Sequence, residues 1–125
     1  ELGIAAHRLH ESLRDNLALG DTQAIAACAS ACACLALAMS EFKIAARLFG
    51  ASAGIQASLH MQLMATETLL AQRNITVLRA RMPAADLDAA WEAGTRMNVQ
   101  AAAQLALRII DEAASVAAPG KPPVT

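Results

Sequence analysis

Aromatic side chains are almost missing from this sequence. Its 125 residues hold no tyrosine, two phenylalanines and one tryptophan, although 56% are hydrophobic. A core with so few rings must be built from alanine, leucine and methionine, and so must reach its density through short distances between helices. β-Branched residues and glycine or proline punctuation are also sparse over the first two-thirds, which argues against a sheet.

An excess of one charge is lacking too. Ten Lys/Arg face eleven Asp/Glu, for a net charge of −1. Binding to nucleic acid draws on clustered cations. Arg73, Arg79 and Arg81 come nearest to a cluster and read as a solvated helix face, so no direct nucleic-acid binding is expected of this segment. No run is long and apolar enough for a membrane. Ala24–Met39 is uncharged but covers 16 residues rich in alanine, where a span needs about 20 strongly apolar ones, so a buried helix is expected. Three cysteines, Cys28, Cys32 and Cys34, crowd into seven residues. An odd, local set is no disulfide framework and fits a reducing, cytoplasmic setting. No signal peptide opens the chain, and a start at Glu1 rather than Met predicts a piece of a longer polypeptide.

What is present is helical periodicity. Six helices are expected. The first runs over Leu2–Leu19, with Leu2, Leu9, Leu13 and Leu17 on one stripe. Gly20 suits the left-handed position after it, and Asp21 the N-cap of the second, Thr22–Met39. Ser40 is expected to cap the third, with Glu41 in its first turn, and that helix continues to about Ser58. Gly50 and Gly54 fall inside it. Each costs about 1 kcal/mol against alanine, a loss that close backbone approach by a neighbour would offset. His60–Leu63 reads as a connection. The fourth helix, Ala65–Met82, turns Met64, Ala71, Ile75, Leu78 and Met82 inward, and Pro83 stops it. The fifth is short, from Pro83 in its first turn to Ala93, and Gly94 ends it. The sixth starts after an Asn98 cap and reaches Ala117, with Ala102, Ala106, Ile109, Ala113 and Val116 inward. Residues 1–117 make one helical domain, and the proline-rich stretch 118–125 reads as a stiff linker.

Few residues suggest chemistry. Cys28 and Cys32 share a helix face while Cys34 points elsewhere, and no tight pair of cysteines makes a zinc knuckle, so they read as small buried hydrophobes. His7 and His10 are three apart on the first helix with no further ligand in reach, which reads as a polar surface. Asp86 and Asp88 near the start of the fifth helix suit its dipole. No Ser-His-Asp order, phosphate loop or nucleophile elbow is present, so no enzyme, cofactor or metal is expected. Trp91 reads as the anchor that clamps the fifth helix to its neighbours.

Helices two and three resemble the tetratricopeptide pattern of small and large residues across a hairpin. Ala45, Phe49 and Ser52 take the small, large and small positions of the second helix, and Ala29, Cys32, Ala33 and Ala36 face them from the first. Large aromatics are usual at the outer two of these, so the repeat is degenerate. Over a longer span, Leu19-Gly20-Asp21, then Ala45-Ala46-Arg47-Leu48-Phe49-Gly50-Ala51, then Ala89-Ala90-Trp91-Glu92-Ala93-Gly94, then Met97 and a capped alanine-rich helix occur in order. This set resembles the C-terminal tetratricopeptide-like region of large bacterial LuxR-type transcriptional regulators.

The resemblance implies an all-α superhelix of antiparallel hairpins, with a signalling NTPase and sometimes a cyclase-like domain upstream and a helix-turn-helix beyond the linker. It implies a non-enzymatic interaction segment that relays signals between those domains. Truncated repeats seek cover, so an exposed apolar strip on the first helix and a homodimer through it are also expected. A helical bundle sensing a small molecule among Met39, Met61, Met64 and Met82 is the alternative, and a metal-dependent sensor a more remote one.

Overall fold

The computed structural model describes the backbone of residues 1–60 and 65–117, and the side chains of these except 65–68, 70, 71 and 117. Those residues are all-α. Six helices run in order: α1 Leu2–Leu19, α2 Thr22–Ala38, α3 Phe42–Ser58, α4 Ala65–Arg81, α5 Ala84–Thr95 and α6 Val99–Ala117, with no strand among the described residues. Met61, Leu63, Met64, the Ala71 side chain and the expected linker at 118–125 lie outside the described residues.

The first two junctions share one construction. At the end of α1 the Gly20 N–H donates to the Leu17 carbonyl (3.2 Å) and the Asp21 N–H to that of Asn16 (3.0 Å). At the end of α2 the Ser40 N–H donates to Leu37 (3.0 Å) and the Glu41 N–H to Ala36 (2.9 Å). Both are Schellman closures, which need a left-handed residue at the first position past the helix. Gly20 has φ 68 and Ser40 has φ 60. Ser40 therefore does not cap α3. It is taken up in ending α2, and the N-cap falls to Glu41.

Two further boundaries differ from expectation. Pro83 is the N-cap of α5 rather than a first-turn residue, and α5 continues through Gly94 to Thr95. Gly94 does not stop the helix, because what it lacks, a β-carbon, serves packing. Asn98 does cap α6, its Oδ1 accepting from the Ala101 N–H (2.8 Å).

The most extensive interfaces are α3 on α5 and α2 on α3. Helix α6 then returns to pack on α1 and α2, joining the last helix to the first. Ala102, Ala106, Ile109 and Ala113 of α6 are buried there. Val116 is not; it is 67% exposed, a turn beyond Ala113. The return of α6 also changes the fate of α1. Leu13 is fully buried, and Leu2, Leu9 and Leu17 pack against the core. The expected open strip on α1 is thus covered by the chain itself, and only Ile4 and Leu19, fifteen positions apart, stand out as exposed large apolar residues there. No helix among the described residues is long and apolar enough to cross a membrane.

Candidate functional site

Alanine spacing brings α2 and α3 together, and glycine brings α3 and α5 closer still. Ala29, Cys32, Ala33 and Ala36 of α2 and Ala45, Phe49 and Ser52 of α3 are buried. The Ser52 hydroxyl donates to the Ala26 carbonyl (2.8 Å), tying the two helices with a polar bond inside the core, and Gln56 Nε2 donates to Ser52 Oγ (2.9 Å). Its bond satisfies a hydroxyl that would be costly to bury unpaired.

At the α3–α5 crossing the contacts are backbone on backbone. A β-carbon on Gly50 would collide with the Trp91 carbonyl oxygen, and one on Gly94 with that of Arg47. A third contact, Gly54 against Thr95, is looser: a β-carbon there would lie 2.8 Å from the Thr95 carbonyl oxygen. The glycines thus set the separation of the two helices from both sides. Trp91 adds a ring to this crossing, stacking on Phe49 with centroids 6.5 Å apart and planes 19° from parallel. It is half-buried rather than enclosed, and its ring borders a groove of about 270 Å³ between α4 and α5 with Ile75 and Leu87.

A larger groove, of about 850 Å³, opens beside this crossing. Its walls are the amino end of α3 (Phe42, Lys43, Ile44), one face of α5 (Asp86, Ala89, Ala90), Met82 before it, and Arg108 of α6. Arg47, whose backbone carries the Gly94 contact, sends its side chain into the wall. The Arg47 Nε is cut off from solvent and has no hydrogen-bond partner. Such a buried donor is expensive.

Helix capping separates α3 and α5 from α1, α2 and α6. Glu1 Oε1 accepts from the Gly3 N–H (3.0 Å), Asp21 Oδ1 from Ala24 (3.1 Å) and Asn98 from Ala101 (2.8 Å), so α1, α2 and α6 have side-chain caps. Neither α3 nor α5 has one. Proline has no side-chain acceptor to offer α5. At α3, Glu41 lies toward Glu112 of α6 instead. Partial burial and the adjacent Glu41 carboxyl, as a charge and a hydrogen-bond partner, push the Glu112 carboxyl above its ordinary range, with Arg108 opposing.

The remaining sequence candidates do not converge. His7 pairs with Glu11 (3.2 Å) on the exposed face of α1, and His10 is exposed. Cys28 and Cys32 are buried and Cys34 half-buried. Burial, helped by neighbouring Cys28 and Cys34, pushes the Cys32 thiol up to about 12, which keeps it from acting as a nucleophile. Ser12 Oγ lies 3.3 Å from Cys28 Sγ, and Asn74 Nδ2 donates to Cys34 Sγ (3.0 Å). Arg73, Arg79 and Arg81 are exposed on α4. Of the methionines proposed as a lining, Met39 packs against the core and Met82 borders the large groove. Sequence reasoning missed that groove. The available signal was a poor cap before each of two helices, Glu41 and Pro83, together with arginines set in apolar helices.

No protein-family model matches this chain, and no curated protein or solved structure matches it.

Proposed function

We propose that this chain is a non-enzymatic regulatory segment of a bacterial LuxR-type transcriptional regulator, acting in the cytoplasm through tetratricopeptide-like helix hairpins. It relays a signal from an upstream NTPase domain toward a helix-turn-helix domain. Its partners are the other domains of the same polypeptide. The observation that supports a relay is the α3–α5 crossing. Two helices in backbone contact at Gly50 and Gly94 cannot slide independently, so a push on one displaces the other. Close-packed elements switch between discrete arrangements rather than yielding gradually.

The test is made in the intact regulator. Gly50→Ala, read as promoter output per folded molecule, should weaken the response to the upstream nucleotide while leaving operator affinity of the helix-turn-helix unchanged. Output that follows the upstream signal equally well in the variant defeats the relay.

A further inference from the structure

We propose that the groove between the amino end of α3 and the Asp86–Ala90 face of α5 binds the phosphoryl group of a small phosphate monoester, held by Lys43, Arg47 and Arg108. The inference goes beyond the relay and does not depend on it.

Three observations converge. First, the groove gathers three cations, Lys43, Arg47 and Arg108, against the two carboxylates Glu41 and Asp86. Second, α3, whose first residues line the groove, has no side-chain cap, so its positive dipole end lies at this space. Third, Arg47 already has a dry, unpartnered Nε. A guanidinium that has lost part of its water gains most from a charged acceptor at its remaining N–H groups.

The geometry favours phosphate over carboxylate. A carboxylate fork saturates one guanidinium in one plane, whereas a phosphoryl group carries three strong acceptor oxygens that meet donors arriving from several directions. Here they arrive from α3 and α6. The volume, about 850 Å³, is far more than a bare phosphate fills and lies in the range of small-molecule sites. Phe42 and Met82 supply an apolar wall for an organic group on the ester.

The full chain is titrated with phenyl phosphate and followed by backbone amide NMR, with benzoate and sodium chloride at matched ionic strength as separate arms. The expected result is saturable shifts centred on the amides of Phe42, Lys43, Ile44 and Arg47. Lys43→Gln and Arg108→Gln, both at exposed positions, should each weaken binding about tenfold. Arg79→Gln on α4 should leave it unchanged. Arg47→Gln should abolish it; if that variant does not fold, the Lys43 and Arg108 variants decide. Shifts that never saturate, an equal response to chloride, benzoate binding as tightly as phenyl phosphate, or full affinity in Lys43→Gln and Arg108→Gln would each overturn the proposal.

Discussion

Gly94 of α5 rests on the backbone of Arg47 in α3 so closely that a methyl group at position 94 would run into the Arg47 carbonyl oxygen. One turn away, Gly50 of α3 meets the Trp91 carbonyl in the same manner. The two contacts are reciprocal, since each helix contributes a glycine to the other's backbone. Neither obstacle is the flexible end of a side chain, so relief requires a helix to move.

The three crossing glycines should differ in sensitivity. Gly50→Ala gains about 1 kcal/mol in helix propensity but meets rigid backbone, where overpacking costs up to about 3 kcal/mol, for a net loss of about 2 kcal/mol. Gly54→Ala meets the backbone of Thr95, the last residue of α5, less closely, with the new β-carbon 2.8 Å from its carbonyl oxygen. It should fall within about 1 kcal/mol of the parent. Urea unfolding of the two variants checks the order.

The two Schellman closures invite opposite substitutions. Ser40 at φ 60 bears the strain of a left-handed L-residue, about 1–2 kcal/mol, while glycine adds about 0.5–1 kcal/mol of unfolded-state freedom. Ser40→Gly should therefore stabilise by about 0.5–1 kcal/mol. A β-carbon on Gly20 has nothing within 4 Å, so Gly20→Ala tests conformation alone and should destabilise by about 1 kcal/mol. Thermal denaturation of both reads the two signs.

Cys32 makes the fold sensitive to alkali. Its thiol titrates near 9.0 when unfolded and at about 12 when folded, so the folded state favours the protonated form. That contribution is whole below the unfolded value and is lost as pH rises through the folded one. Urea midpoints compared at about pH 8 and about pH 10.5 should fall further in the parent than in Cys32→Ala.

Glu112 acts in the same sense at acidic pH. Its folded carboxyl is raised above 4.5 by partial burial and by Glu41, so its stabilising contribution is present below that value and is lost as pH rises. Glu112→Gln should stabilise the fold at about pH 7, and the gain should vanish near about pH 4. The pH dependence of the urea midpoint in parent and variant measures it.

Local signals were legible in the sequence where one physical cause acted alone. Leu2–Leu19 shows a plain stripe, and Gly20-Asp21 marks a stop and a start with the residues best suited to each. Where one residue type serves two ends, identity misled. Ser40 has the chemistry of an N-cap, yet its backbone closes α2, because the Schellman bonds to Leu37 and Ala36 claim it first. Gly94 has the composition of a helix stop, yet its missing side chain admits Arg47. The return of α6 onto α1 has no local trace at all, since periodicity says which face is apolar but not which helix will cover it. The groove was hidden for the same reason: Lys43, Arg47, Asp86 and Arg108 lie on three helices that only tertiary packing brings together.

The central claim is that missing side chains, at Gly50 and Gly94, hold α3 and α5 together. Equilibrium unfolding of Gly94→Ala tests it most directly, because the two forces on that position have opposite signs. Backbone contact predicts a loss of about 2 kcal/mol. A variant as stable as the parent, or more stable by the roughly 1 kcal/mol that helix propensity alone would add, would contradict it.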